Sequence, residues 1–429
     1  MNRREFLGGL AATTGSLPTQ GLAAPSDLRS AAREAWIYCL PLIETARMRT
    51  AQGGINAFVH RRDLTTPADR SLTTPNVDTL YSSAFVDLGN GSATVTLPAS
   101  GGYFSLHLMD MYTNSFAVLG ARTVGGEGGT FTLVGPRDAA PEGAIRAPTP
   151  WIWAFARIGV NGPEDLDIVH KLQDEIVLKA SPPRGLGSFA QRGSAWGEYF
   201  SSASALLAEN RPPATDLAVL QRISPLGLGS RGFDAAKFTA IEAHEIEAGI
   251  ADAKSIVAGA RPEKPLNGWR YPSPDLGDFG QNYLFRARVA ISGLAALPRQ
   301  EAMYMRAVAA NGSINFQDGN WRLNFARDQL PPVDAFWSLT MYEATPQGQY
   351  FLTENLLHRY AIGDRTKGLR RNADGSLDIW IARKDPGGSR TENWLPAPAS
   401  GPFSLLMRAY LPKSEFLTGA YQLPAIMPA

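Results

Sequence analysis

Apolar residues at Leu28, Ala31, Ala35, Cys39 and Ile43 recur every three or four positions, which predicts an amphipathic helix near the start of the chain. Pro41 is expected to kink or end that helix, because proline supplies no amide proton to the ladder. From about Asn56 to Ile158 the pattern shifts to short β-type runs punctuated by Gly, Pro and Asn: Tyr81 to Leu88, Ala93 to Leu97, Tyr103 to Tyr112, Thr130 to Val134 and Trp151 to Ile158. Helical spacing then takes over between Pro163 and about Leu297. Leu166, Val169, Leu172 and Ile176 form one stripe, with Pro163 in a first turn that tolerates it. Further helices are expected from near Asp234 past Ile250, and from about Gln281 to Ala296.

After Ile314 the chain is β-like again, at Trp321 to Phe325, Ala335 to Tyr342, Leu377 to Arg383 and Phe403 to Tyr410, with Asp374-Gly375 as a tight turn before one run. The pattern therefore predicts an α+β protein: an N-terminal β-sandwich or barrel-like domain over 26–160, a helical connecting region over 161–310, and a C-terminal β-sandwich over 311–429.

The first residues read as an address. Arg3-Arg4 precedes Phe6-Leu7 and a weakly apolar Gly/Ala-rich stretch, and Gly21-Leu22-Ala23 ends in small residues. This predicts a twin-arginine export signal over 1–23, cleaved after Ala23, and a periplasmic location. Elsewhere no run of about 18 apolar residues occurs, so no transmembrane segment is expected.

Composition narrows the chemistry. Lys+Arg number 41 against 40 Asp+Glu, a net charge of +1, which lacks the basic excess of a nucleic-acid binder. One cysteine excludes an internal disulfide and any cysteine-cluster metal site, and five scattered histidines argue against a histidine metal centre. His244-Glu245 lacks the second histidine of a zinc-protease motif, since position 248 is alanine. Gly227 to Gly232 fits a dinucleotide fingerprint by letter but follows helical pattern rather than a strand. There is no nucleophile elbow, phosphate loop or calcium loop. No metal and no cofactor are expected.

What remains are polar groups at the ends of apolar strand faces. Period two puts Phe104, Leu106, Leu108, Asp110 and Tyr112 on one face, with Asn114 beyond it; Trp337, Leu339, Met341 and Glu343 repeat the arrangement. Such a carboxylate, desolvated, has the raised pKa a general acid or base needs; equally, it can be ion-paired for structure, with Arg122, Arg365 and Arg408 available. Asn76, Asp78 and Tyr81 fall in a turn entering a strand, where they either satisfy turn amides or bind a ligand.

These same residues carry a resemblance. Thr74-Pro75-Asn76-Val77-Asp78-Thr79-Leu80-Tyr81, Tyr103-Phe104-Ser105 and Asp110-Met111-Tyr112-Thr113-Asn114 resemble the domain-of-unknown-function family 1254. Phe336 to Tyr342, Arg359 to Thr366, Asn393-Trp394-Leu395-Pro396, Gly401-Pro402-Phe403 and Arg408 to Pro412 resemble family 1214. The resemblance implies an N-terminal β domain, a helical middle and a jelly-roll-like C-terminal sandwich in exported proteins. It implies no reaction.

Two functional readings stand. One is a metal-independent enzyme acting on a glycan or amphipathic small molecule, with Asp110 or Glu343 as acid/base, Tyr112 stabilising charge, and Asn76, Asp78, Tyr81, Asn114, Arg365, Asn393 and Trp394 binding. The other is a non-catalytic periplasmic glycan or lipid binder, or a structural envelope protein, in which tryptophans such as Trp151, Trp153, Trp337, Trp380 and Trp394 stack on sugars, line an apolar cleft or simply fill the core. A homo-oligomer fits either reading.

Overall fold

A computed structural model describes residues 25–70, 73–229, 232–259, 264–317 and 319–429. The expected export signal, 1–23, lies outside the described residues. Strands, helices and strands follow one another as the patterning predicts, after a long leading helix, and the class is α+β.

The leading helix spans Pro25–Gln52 and continues through Pro41, so the expected break there does not occur. Proline removes the ladder bond to the Ile37 carbonyl, and the Thr45 hydroxyl, which donates to the Pro41 carbonyl at 2.8 Å, does not replace it. Burial supplies the compensation. Leu28, Ala31, Ala35, Cys39 and Ile43 are all buried, and so are Trp36, Tyr38, Leu40 and Leu42, so the helix is apolar nearly all round. It packs against Trp196–Glu209, Leu217–Ile223, Ala240–Gly259 and Tyr283–Ser292. The crossing with Ala240–Gly259 is close enough that a Cβ on Gly249 would stand 2.2 Å from the Arg29 carbonyl oxygen. Cys39 is a core thiol, its pKa pushed up to about 12 by burial.

The N-terminal strands make two sheets. One has the order Val59–His60, Thr79–Asp87, Trp151–Gly159, Phe104–Asp110, Ser115–Gly120, all antiparallel. The other runs Ile145–Arg146, Gly129–Val134, Ala93–Leu97, Val177–Ala180. Leu80, Val86, Leu106, Leu108, Ile152 and Ile158 of the first sheet meet Val95, Leu97 and Leu133 of the second in one core. The C-terminal sandwich follows the same principle. A sheet built on Val333–Ala344, Phe403–Pro412 and Ala302–Ala307 faces one built on Trp321–Phe325 and Leu377–Ala382. Met303, Met305, Leu339, Met341 and Met407 from one side pack with Leu323, Phe325, Ile379 and Ile381 from the other. Ala302–Ala307 lies in the stretch whose pattern reads as helical connection, yet it pairs with Phe403–Pro412 and is part of this sandwich.

No helix among the described residues is long and apolar enough to cross a membrane.

Candidate functional site

Strand alternation decides which side chains leave the N-terminal core. In Trp151–Gly159, Ile152, Ala154, Ala156 and Ile158 enter the sandwich core, while Trp153, Phe155 and Arg157 line a cavity. The neighbouring strand behaves alike, and Tyr81 and Ser83 stand beside Arg157 and Phe155 in register. Tyr81 and Phe155 stack with ring centroids 5.2 Å apart. The Trp153 indole donates to Ser83 Oγ at 2.7 Å, which fixes the ring against the wall.

Three other walls close the space. The leading helix contributes Glu44 and Met48; Tyr283–Ser292 and the loop after it contribute Leu284, Phe285, Val289 and Leu294. The C-terminal sheet contributes Tyr304, Arg306, Leu406 and Arg408, which are cross-strand partners. The cavity measures about 1090 Å³, at the upper end of the range for small-molecule sites, and sits where both sandwiches and the helices meet.

Its walls are largely aromatic and aliphatic, but its charge is uneven. Arg157 is 6% exposed; its Nη2 donates to the Ala295 carbonyl at 2.5 Å and its Nη1 has no partner. An unmatched buried donor of this kind costs about 1–3 kcal/mol. The guanidinium lies 4.7 Å from the centre of the Phe155 ring. Arg408, also buried, donates to Thr340 Oγ1, the Thr74 carbonyl and the Tyr342 hydroxyl. Arg306 donates to Ser404 Oγ at 2.9 Å, and burial lowers its pKa. Glu44, 2% exposed, lines the cavity from the helical wall; its Oε2 sits 3.2 Å from Arg47 and 3.5 Å from Arg192, and its Oε1 has no partner. His60 takes Ser82 Oγ at 2.8 Å through Nδ1, and burial with the Arg62 charge holds its pKa below the usual imidazole value. The imidazole is therefore neutral at pH 7.

The residues singled out from the sequence divide among five places. Asn76 and Tyr81 line the cavity. Asn76 also closes its turn, accepting from the Asp78 amide at 2.7 Å and donating to the Tyr410 hydroxyl at 2.9 Å. Asp78 and Arg365 pair at 3.2 Å where the two sandwiches meet, with Arg365 lying 3.3 Å over the Phe336 ring. Arg365 thus serves a carboxylate of its own chain.

Asp110, Tyr112 and Asn114 form a third place. The strand ends at Asp110 and the chain turns through Thr113, at φ 69°, so the expected alternating face does not extend to Tyr112. Asp110 accepts from the Asn114 amide at 2.8 Å and its side chain at 3.0 Å, and Tyr112 donates to the Asn210 carbonyl at 2.6 Å. Burial pushes the Asp110 pKa up to about 6, the direction expected of a general acid, yet Asp110 is not among the residues lining the cavity. Glu343 is likewise absent from that lining and pairs with Arg70 instead.

Asn393 and Trp394 belong to the C-terminal sandwich. Asn393 donates to the Arg370 and Asp378 carbonyls, and Trp394 to that of Ala382. Arg157 carried the missed signal: a charged residue two positions after Phe155 and four after Trp153, on one face of a predicted strand.

Among the described residues, no group of three or more His, Cys, Asp or Glu is placed to hold a metal ion.

Comparison with known proteins agrees with this architecture. Residues 55–180 match the family model described as Protein of unknown function (DUF1254), and residues 301–414 match Protein of unknown function (DUF1214). The crystal structure of the VPA0106 protein from Vibrio parahaemolyticus is 21% identical, covers 95% of this chain and 100% of its own, and superposes with a TM-score of 0.71. A putative uncharacterized protein from Burkholderia cenocepacia is 14% identical over 90% of this chain and 92% of its own, with a TM-score of 0.44. The Vibrio structure establishes the shared fold. No curated protein matches the chain.

Proposed function

We propose that this chain, which carries a DUF1254 and a DUF1214 region in tandem, is an exported periplasmic protein that binds an amphipathic small molecule in the cavity between its two sandwiches. The observation that carries the reading is the cavity itself: about 1090 Å³, walled by Trp153, Phe155, Leu284, Phe285 and Leu406 from segments far apart in sequence. Its aromatic and aliphatic side chains, set among arginines and hydroxyls, suit a ligand with both a hydrocarbon and a polar part. The twin-arginine pattern at Arg3-Arg4 supports export.

Binding without catalysis is favoured over acid/base chemistry by where the carboxylates lie. Asp110 and Glu343 are outside the lining, and Glu44, which is inside it, is engaged by Arg47 and Arg192.

Calorimetric titration of the purified chain with decanol and, separately, with a disaccharide tests the reading. Saturable decanol binding with a negative heat-capacity change is expected, and none of the disaccharide. Disaccharide binding with no decanol binding would reverse the assignment.

A further inference from the structure

We propose that the cavity wall around Arg157 is an oxyanion subsite, and that the amphipathic ligand enters with a carboxylate or phosphate head on Arg157 Nη1. This rests on the binding reading above and names the ligand class it leaves open.

Arg157 stands on the central strand of its sheet, 6% exposed, and no carboxylate of the described residues lies within 4 Å of it as an ion-pair partner. Other buried arginines are answered differently: Arg286 also has unpartnered nitrogens, but it is enclosed by the Tyr38, Tyr112 and Tyr283 rings and does not line the cavity. Arg49 has Glu209, and Arg408 spends its donors on Thr340, Thr74 and Tyr342. Arg157 uses one nitrogen on the Ala295 carbonyl, which fixes the fork, and leaves Nη1 buried without a partner in a side chain that lines the cavity. A guanidinium held in one orientation with a free donor is suited to an oxygen of a planar or tetrahedral anion.

Its surroundings add to the preference. Arg157 lies 5.9 Å from the Tyr81 ring and 4.7 Å from that of Phe155, so the aromatic wall covers one side of the cation without neutralising it. Arg306 and Arg408, on the facing sheet, also line the cavity without a carboxylate partner within 4 Å. Tyr304, beside Arg408 in register, places a hydroxyl-bearing side chain on the same wall. Glu44 is contributed by a different wall, the leading helix, and is already paired with two arginines. The cavity is therefore cationic where the sandwiches meet, and its helical wall, which includes Arg288, presents Leu284, Phe285, Val289 and Leu294. An alkyl or aryl anion matches that division: head on the arginines, body on the helix.

The test uses four ligands with one ten-carbon body: decanol, decanoate, decyl phosphate and decyltrimethylammonium, each titrated into the full chain below its micelle concentration. The native protein is expected to bind decanoate, decyl phosphate or both at least about tenfold more tightly than decanol, and the cation more weakly than decanol. Whichever anion is preferred separates a carboxylate from a phosphate head. Folded Arg157→Gln is expected to lose that preference while still binding decanol.

Equal affinity of the native protein for decanol and both anions would overturn the anion subsite and leave the cavity reading standing. No binding of any of the four would overturn both. Retained preference in folded Arg157→Gln would overturn the assignment to Arg157. If that variant does not fold, the native protein crystallised with the preferred anion decides: a head within hydrogen-bond distance of Arg157 Nη1 supports the inference, and a head elsewhere overturns it.

Discussion

Ser338 donates a 2.6 Å hydrogen bond to Asp78, joining the C-terminal sandwich to the turn that opens the second strand of the N-terminal one. The same carboxylate holds Arg365 at 3.2 Å, and Asp78 is 4% exposed. Around it, Tyr342 donates to the Pro75 carbonyl at 2.7 Å and Arg408 to the Thr74 carbonyl at 3.1 Å. The Thr74–Asp78 segment is thus tied to the opposite sandwich by side chains from three places in the C-terminal sequence. Asn76, within it, is also a cavity residue, so the joint and the site share a wall.

Asp78→Ala should therefore destabilise the whole protein by about 3 kcal/mol, at the lower end for a broken buried pair because Arg365 retains some solvent. Asp78→Asn keeps an acceptor for Ser338 and should lose less. Urea midpoints of the two variants check this, and equal values would mean that the Ser338 hydrogen bond contributes nothing beyond the charge on Asp78.

Asp110 predicts a pH dependence of opposite sign to that of an ion-paired carboxylate. Its folded pKa, raised by burial to about 6, lies above the usual 3.8, so the folded state keeps a proton that the unfolded chain releases. Stability from this group is fully present below about pH 4 and falls as pH rises to about 6, by up to about 1.4 kcal/mol per pH unit. Asp110→Asn removes the titration and retains an acceptor for the Asn114 amide. Relative to native, the variant should gain stability steadily from pH 4 to pH 6 and hold that gain above. An offset independent of pH would show that Asp110 does not titrate in this window.

Thr113 is a β-branched residue at φ 69°, 5% exposed, with an unpartnered hydroxyl. Both features cost free energy in the folded state. Thr113→Gly should relieve them and raise stability by about 1 kcal/mol after the added entropy of the unfolded chain is subtracted. Thermal unfolding of the variant checks it; a lowered midpoint would mean that the turn depends on the threonine methyl.

Much of the architecture was legible because it rests on local period. Ala93–Leu97 and Trp321–Phe325 coincide with the predicted runs, and the Leu28-to-Ile43 stripe is buried as expected. Pro41 misled because one lost ladder bond is small beside the burial of a helix packed on all sides. The turn at Thr113 was hidden, since nothing in a period-two pattern announces a positive φ on threonine. The site was less legible than the fold. Asn76 and Tyr81 reached it through local motif, whereas Arg157, Tyr304 and Arg408 come from strands of two different sheets that only the tertiary fold brings to one cavity. Asp110 and Glu343 looked alike along the sequence, yet one ended against Asn114 and the other against Arg70.

The central claim is that the space between the sandwiches is where the ligand sits. Ala296 lines that space and follows the Ala295 carbonyl that fixes Arg157. Ala296→Trp would fill the cavity from its loop without touching either sandwich core. Calorimetric titration of this variant with decanol should give an affinity at least about tenfold below native, with the unfolding midpoint little changed. Native affinity in a folded Ala296→Trp protein would place the ligand elsewhere and contradict the account.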